Sequence, residues 1–287
     1  MSKHHLLTQT WYDALGHLAR QVGSDQFHPC LIAVLKQIAP FDHAVIIAYP
    51  AGNRPVHLFN DLPEKQLGPS LEVYLNGAYL LDPFYLACQQ GMAEGYYRLR
   101  ALAPDEFYTS EYYRSYYKAT YLQDEVGILV AVDDRTRVIV SLGIREGEKS
   151  VSNVNSLALV LPLLNALCLQ HWRGMAQLDA TAIRDGGDEG RLRETLDLAF
   201  KNFGRDFLSE RECEIVRLVL KGHSSRSISD LLNISAETVK AHRKHVHSKL
   251  RISSQAELFS LFLESISGVE SGFLGDPLST HFSRTNP

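Results

Sequence analysis

The feature that most restricts the fold of this chain is a series of serines near its C-terminal end. The four serines are Ser209, Ser224, Ser235 and Ser254, and each precedes a short stretch with apolar residues at helical spacing. A serine in this position accepts a hydrogen bond from a free N–H of the first turn and favours the start of a helix. After Ser209 and Ser254 a glutamate follows three residues later, which predicts two capping boxes. Residues 206–266 are therefore expected to form an all-α domain of four helices.

The third of these helices has two chemically different faces. Val239, Val246 and Leu250 fall on one face at helical spacing. Another face carries the cationic or titratable side chains Lys240, Arg243, Lys244 and His247. A helix whose apolar side packs on its own domain, and whose cationic side is exposed, fits the major groove of DNA. This pattern predicts a recognition helix.

The segment from Leu208 to Leu258 closely resembles the LuxR-type helix-turn-helix domain. The matching positions are Leu208, Ser209, Arg211, Glu212, Val216, Gly222, Ser224, Ile228, Leu232, Ile234, Ser235, Thr238, Val239, Lys240, His242, Lys249, Leu250, Ala256, Glu257 and Leu258. The resemblance implies DNA contacts by Thr238, Lys240, His242 and Arg243, and a two-fold dimer contact by the fourth helix through Leu258, Phe259 and Phe262. With the cationic face and the capping serine of the second helix, the full predicted DNA-binding set is Ser224, Thr238, Lys240, His242, Arg243, Lys244 and His247.

Three nearby histidines raise the alternative of a metal site. His242, His245 and His247 lie on the same predicted helix. In a recognition helix they are expected to face DNA or solvent, so the sequence predicts no metal and no cofactor.

The N-terminal two-thirds of the chain mixes strand and helix patterns. Strands are predicted at 43–49, 126–132 and 138–144, the last two joined by a turn at 133–136. Helices are predicted at 12–22, 29–38 and 154–172. Around them, eleven of the thirteen tyrosines fall between Tyr74 and Tyr121. Aromatic rings with hydroxyl groups suit a pocket with apolar walls and a few polar points.

Within this segment, Tyr79-Leu-Leu-Asp82-Pro83 resembles the aromatic-then-Asp-Pro element of autoinducer-binding domains. The resemblance implies a PAS/GAF-like α-β-α fold in which the aspartate bonds a ligand amide. The predicted ligand-binding residues are Tyr74, Tyr79, Asp82, Tyr85 and Tyr96. The alternative for Asp82 is a helix cap, since aspartate before proline often marks a boundary. Both tryptophans, Trp11 and Trp172, lie outside the segment, which argues against a lactone ligand.

Together these patterns predict an α+β protein: an N-terminal α-β-α sandwich with a central antiparallel sheet, and a C-terminal all-α four-helix helix-turn-helix domain. The predicted parts are a sensing and dimerisation domain (1–178), a linker with a connecting helix (179–205), the DNA-binding domain (206–266) and a tail without regular structure (267–287). The Gly- and Asp-rich stretch 184–190 is expected to be an exposed linker. At 287 residues, two separate cores are expected.

Charge and composition limit the class of function. The net charge of −4 requires any DNA binding to come from a local patch. Four scattered cysteines without a CxxC pair favour reduced thiols, and residues 1–7 lack the apolar core of a signal peptide, so a cytoplasmic protein without membrane contact is expected. The sequence contains no nucleophile elbow, HExxH motif or Gly-rich phosphate loop, which argues against an enzyme and predicts no catalytic residues.

The leading hypothesis is a homodimeric transcriptional regulator that binds a double-stranded DNA operator under the control of an unidentified small molecule. RNA polymerase is a further candidate partner. The alternative is a ligand-independent regulator of the same type whose N-terminal domain is a dimerisation or protein-interaction module.

Overall fold

The computed structural model describes residues 8–51, 53–62, 71–117, 122–145, 154–183 and 189–285. The N-terminal domain is built on a five-stranded sheet of order β2-β1-β5-β4-β3, in which every pair of neighbours is antiparallel. The strands are β1 (His43–Pro50), β2 (Val56–Asn60), β3 (Gly95–Arg98), β4 (Leu122–Ala131) and β5 (Thr136–Arg145). The three predicted strands and the α+β class are confirmed. Two short edge strands, β2 and β3, were not predicted.

Helices cover both faces of the sheet. On one face lie α1 (Gln9–Arg20), α2 (Phe27–Ile38) and α5 (Val154–Ile183), which confirms the three predicted helices. The other face is covered by short pieces, namely α3 (Pro83–Gln89), α4 (Leu99–Leu102) and 3-10 turns at Ala78–Leu81 and Phe107–Thr109. We call this second layer, residues 74–113 without β3, the tyrosine layer.

Alternating side chains of the strands divide the domain into two cores. Ala44, Ile46 and Ala48 of β1 pack with the layer of α1, α2 and α5. Ile47 and Tyr49 of the same strand contact the tyrosine layer instead. This period of two places successive side chains of one strand on opposite faces of the sheet.

The C-terminal domain contains α6 (Glu189–Asn202), α7 (Glu210–Lys221), α8 (Ser225–Leu232), α9 (Ala236–Leu250), α10 (Gln255–Ser267) and α11 (Pro277–Thr285). All four predicted serine caps are confirmed, since each hydroxyl accepts a hydrogen bond from an N–H of the first turn. Only the box at Ser209 closes fully, because the Glu257 carboxylate accepts from the backbone N–H of Ser253 rather than from that of Ser254. The helix ends at Gly222 and Asn233 are confirmed, with φ of 93° and 53°.

The two domains share a core, which differs from the expectation of two separate ones. Phe262 of α10 is fully buried and contacts Phe200 of α6 and Phe203, just after that helix, at ring-centroid distances of 5.3 and 5.5 Å. The same cluster of buried side chains includes Tyr79 and Leu129 of the N-terminal domain. The apolar surface of α10, large for a helix of a small domain, is therefore covered by the chain itself.

This packing bears on the predicted dimer contact. Leu258, Phe259 and Phe262 are 1%, 5% and 0% exposed inside the chain's own core. A dimer contact through these side chains stays a prediction, and it requires α10 to leave the shared core.

The C-terminal tail is not coil, which corrects the prediction for 267–287. Residues 277–285 form α11, and the buried Asp276 accepts hydrogen bonds from the backbone N–H groups of Gly204, Asp206 and Leu278 at 2.9, 3.0 and 3.0 Å. The aspartate ties the tail to the segment between α6 and α7. Nothing periodic in the tail revealed this role.

The predicted linker 184–190 lies outside the described residues except for its last two, which begin α6. The connecting helix predicted from Leu192 to Phe200 is confirmed by α6. Within the parts of the chain that the structure describes, every helix is too short or too polar to cross a membrane.

Candidate DNA-binding surface and candidate ligand site

The recognition helix α9 has a buried and an exposed side, as the sequence pattern indicates. Val239, Val246 and Leu250 are 0%, 2% and 3% exposed. Three of the predicted DNA-binding residues, Thr238, Lys240 and Lys244, are exposed. A helix held by its apolar side can present such residues to the major groove without moving.

The other predicted residues of α9 are not equally exposed. Arg243 is half-buried and donates hydrogen bonds to Oγ of Ser225 at 3.1 Å and Oε1 of Gln255 at 3.4 Å. It therefore fixes α9 against α8 and α10, and the guanidinium sits beside the first residue of α8. His247 is half-buried too, and burial, followed by the positive charge of Arg243, lowers the pKa of its imidazole. His247 thus adds little positive charge near pH 7.

His242 also faces the protein. Its ring lies towards α7, where ligand atoms of His242, His245 and Glu212 all lie within 4.8 Å of one another. Glu212 accepts hydrogen bonds from the Ser209 N–H at 2.8 Å and from Lys249 Nζ at 2.6 Å. Burial opposes ionisation of Glu212, but these bonds outweigh it and hold the pKa of the carboxyl below its ordinary value. His242 thus faces α7 and is not exposed as Thr238, Lys240 and Lys244 are.

Ser224, the predicted DNA-binding residue of the second helix, is covered by the N-terminal domain. Its hydroxyl caps α8 by accepting from the Ser227 N–H at 3.0 Å. Its own N–H donates to Oδ1 of Asp105 at 2.9 Å. Next to it, the Glu106 N–H donates to the Gly222 carbonyl at 3.0 Å. We call this contact, Asp105 to Phe107 against Gly222 to Ser224, the interdomain clamp.

The clamp leaves no room for a side chain on the glycine. A Cβ added at Gly222 would lie 2.8 Å from Cα of Phe107.

Partial burial opposes ionisation of Asp105, but the hydrogen bonds from Ser224 outweigh it and hold the pKa of the carboxyl below its ordinary value. An ionised carboxylate thus sits at the N-terminus of α8, where the helix dipole favours negative charge. Asp105 was missed because an exposed loop aspartate carries no pattern of its own.

Four of the five predicted ligand-binding residues meet in the tyrosine layer. Tyr74, Tyr79, Asp82 and Tyr85 are 7%, 0%, 6% and 2% exposed. The Tyr74 hydroxyl donates to Oδ2 of Asp82 at 2.7 Å and lies 2.5 Å from the hydroxyl of Tyr49. Tyr49 belongs to β1 and was not predicted, because its partners lie 25 or more residues away.

Asp82 is both buried and a helix cap. Its Oδ1 accepts from the Phe84 N–H at 2.7 Å at the start of α3. The cap alternative raised by the sequence is therefore confirmed. Burial raises the pKa of the Asp82 carboxyl against the opposing hydrogen bonds from Tyr74 and from the backbone of Phe84 and Tyr85.

Tyr85 connects the tyrosine layer to the C-terminal domain. Its hydroxyl donates to Oδ1 of Asp197 in α6 at 2.9 Å, and its ring lies edge-on to Tyr79 at 4.8 Å. The ring of Tyr49 is 5.6 Å away. A side chain of the candidate ligand site thus bonds directly to the domain that carries α9.

Tyr96, the fifth predicted ligand-binding residue, lies elsewhere. It is half-buried on β3 and lines a groove of about 710 Å³ between that strand and α5, together with Leu161 and Leu169. The structure therefore does not bring Tyr96 together with Tyr74, Asp82 and Tyr85.

Comparison with known proteins identifies the C-terminal domain. Residues 206–262 match the family model GerE, described as bacterial regulatory proteins of the luxR family. The chain is also similar to the oxygen regulatory protein NreC of Staphylococcus epidermidis, with 40% identity over 57 residues, 20% of this chain and 26% of that protein.

Two comparisons extend into the N-terminal domain. An HTH-type transcriptional regulator in the exeN 3' region of Aeromonas salmonicida is 35% identical over 188 residues, 64% of this chain and 94% of that protein. A crystal structure of the LBD domain of VqsR from Pseudomonas aeruginosa is similar with a TM-score of 0.51 and 27% identity, covering 57% of this chain and 96% of that domain. The chain therefore belongs to the LuxR-family helix-turn-helix transcriptional regulators, with an autoinducer-binding-like N-terminal domain.

Proposed function

We propose that this regulator binds an operator as a homodimer and that a small molecule in the tyrosine layer controls its access to DNA. The observation that carries the proposal is the interdomain clamp, because it places an acidic residue of the sensing domain on the DNA-binding domain. The structure then corresponds to a closed state with low affinity for DNA.

The DNA contacts that we propose begin with the exposed residues of α9. Thr238, Lys240 and Lys244 reach base edges and phosphates, while Arg243 and Ser224 hold the phosphate backbone beside the start of α8. Helix N-termini bind phosphate through free N–H groups and the positive end of the dipole. The Asp105 carboxylate takes the Ser224 N–H that a phosphate would use. The clamp and a phosphate contact at Ser224 therefore exclude each other.

The ligand site is coupled to this clamp through α6. Tyr85 uses its hydroxyl to bond Asp197, and Tyr74 uses its hydroxyl on Asp82. A ligand whose polar groups take these bonds breaks the direct link between Tyr85 and α6. Such a ligand binds the open state more tightly than the closed state, which is the condition for it to shift the equilibrium.

Opening also frees α10 for the predicted dimer contact. Leu258, Phe259 and Phe262 are covered in the closed state. Once they leave the shared core, their exposed apolar surface favours pairing with a second copy. Opening then exposes both the N-terminus of α8 to DNA and the apolar surface of α10 to a second copy.

The test is a thermal-shift screen of the full-length protein against acyl-lactones, amines, amino acids and aromatic acids. Each stabilising compound is then added to a binding assay with DNA selected from a random pool. We expect a compound that raises both the unfolding temperature and the DNA affinity, and no DNA response in Tyr85→Phe. If compounds stabilise the protein without changing DNA affinity, ligand control is wrong. A regulator whose DNA binding is indifferent to every compound supports the alternative of an interaction module.

A further inference from the structure

Three side chains that commonly bind transition metals meet between α7 and α9. They are Glu212 of α7 and the pair His242 and His245, one turn apart on α9, with ligand atoms within 4.8 Å of one another. The sequence pointed to His242, His245 and His247 as a group. The structure replaces His247 by a carboxylate from a different helix, which no spacing along α9 could indicate.

One buried polar atom of this group has no partner in the protein. Nδ1 of His242 is buried and has no hydrogen-bond partner within the described part of the chain. Buried polar atoms are nearly always paired, so an exception calls for a missing partner. Glu212 is only 3% exposed, and the bonds from Ser209 and Lys249 go to Oε2 alone. Its other oxygen is available to a ligand.

We propose that Glu212, His242 and His245 bind a divalent transition-metal ion of the zinc type, which joins the recognition helix to α7. Two imidazoles and one carboxylate are a common donor set for Zn²⁺, with a water molecule in the fourth position. Mg²⁺ and Ca²⁺ prefer sites made of oxygen atoms, so they do not fit this group. Only His245 is exposed, and it offers the route by which the ion enters.

Lys249 is the competitor of the ion. Its Nζ lies 2.6 Å from Oε2 of Glu212, and its side chain is 44% exposed. An exposed lysine can turn into solvent when a divalent cation replaces it. The metal ion must displace the Lys249 ammonium from Glu212 in order to bind. Loss of this lysine should therefore tighten metal binding.

The experiment uses the full-length protein with His4 and His5 replaced by glutamine, which removes a pair of adjacent histidines far away in the sequence. Zn²⁺ binding is measured by titration calorimetry and by the shift in unfolding temperature, with Mg²⁺ as the comparison ion. Co²⁺ provides a second readout, since its visible absorption reports tetrahedral coordination. The variants are His245→Ala, the matched control His247→Ala, and Lys249→Met, each checked for folding by circular dichroism.

We expect one Zn²⁺ per chain and a higher unfolding temperature with Zn²⁺ but not with Mg²⁺. Mutation of a residue that only hydrogen-bonds a metal ligand lowers metal affinity by about 10- to 100-fold. Loss of a ligand itself in His245→Ala should therefore lower Zn²⁺ affinity by roughly tenfold or more. His247→Ala should bind as the parent does, and Lys249→Met more tightly. Equal binding by His245→Ala and the parent would overturn the proposal, as would a tetrahedral Co²⁺ spectrum that persists in His245→Ala. Absence of Zn²⁺ binding to the parent chain would also overturn it.

Discussion

The helix-turn-helix helices and the tyrosine layer are specified by hydrogen bonds that span different distances along the chain. In α7 to α10 the bonds that define each helix start join residues three apart, such as Ser235 and Thr238. The defining bonds of the tyrosine layer join distant residues, since Tyr74 follows Tyr49 by 25 positions and Asp197 follows Tyr85 by 112. The first region can therefore fold from local signals, while the second depends on the whole domain and on its partner. A ligand acting on the second region can thus alter contacts to the first.

Phe262→Ala is the largest perturbation that we expect, because Phe262 belongs to the core that joins both regions. Truncation of a fully buried phenylalanine costs about 3–5 kcal/mol of unfolding free energy. Denaturant unfolding followed by circular dichroism and by tyrosine fluorescence should show both regions losing stability together. The matched control is Leu231→Ala, since Leu231 is 58% exposed on α8. Every tyrosine lies in the N-terminal domain, so a loss of stability seen by circular dichroism but not by tyrosine fluorescence would mean that the two regions are independent.

Lys240→Ala tests the region that the sequence specifies best. One fewer phosphate contact should weaken operator binding and reduce the slope of log affinity against log salt by about 1. Fluorescence anisotropy over a salt series measures both. Lys36→Ala, which removes the same charge from the N-terminal domain, should leave the slope unchanged. An unchanged slope in Lys240→Ala would mean that a different side of α9 faces DNA.

The distances also explain how much could be predicted from the sequence. Caps, helix ends and the apolar face of α9 were predicted because each signal lies within a few residues of its effect. Asp105 was missed because it acts on a backbone N–H group 119 positions away, which leaves no trace in spacing. Asp276 precedes Pro277, a local sign of a helix start, but its bonds to Gly204 and Asp206 span at least 70 positions and could not be predicted. Asp82 was found as a candidate because its Asp-Pro pair is local. Its hydroxyl partner Tyr74, and Tyr49, which bonds Tyr74, come together only in the fold.

Asp105→Asn tests the contact between the two regions. Asparagine keeps an oxygen that can accept the Ser224 N–H but removes the negative charge at the N-terminus of α8. A charge near a helix terminus is worth about 0.3–1 kcal/mol, so DNA affinity without ligand should rise by about two- to fivefold. Glu106→Gln removes the same charge one residue away, and its side chain is exposed. Equal increases in both variants would indicate a general charge effect rather than release of the clamp.

Asp82→Asn is expected to have the smallest effect on stability. It tests whether the buried Asp82 carboxylate destabilises the tyrosine layer in the absence of a ligand. Burial raises the pKa of Asp82 in the folded protein, so the folded state binds the proton more tightly than the unfolded state does. The carboxylate therefore destabilises the fold. This effect is absent below the unfolded pKa of about 3.9, grows as the pH rises towards the folded pKa and is complete above it.

Asparagine should remove this dependence while keeping the cap on α3, because it caps helices about as well as aspartate. Near pH 3 the difference in unfolding free energy between the two proteins should not depend on pH. As the pH rises above about 4, the unfolding free energy of Asp82→Asn should increase relative to that of the parent. Denaturant titrations at several pH values measure the difference, with Asp134→Asn in the exposed β4–β5 turn as the control. A ligand that donates a hydrogen bond to the Asp82 carboxylate would stabilise the same charge. The gain in unfolding free energy of the variant over the parent should therefore disappear once such a ligand is bound. If the two proteins keep the same difference at every pH, the charge on Asp82 is already compensated by Tyr74 and the backbone, and Asp82 acts as a helix cap alone.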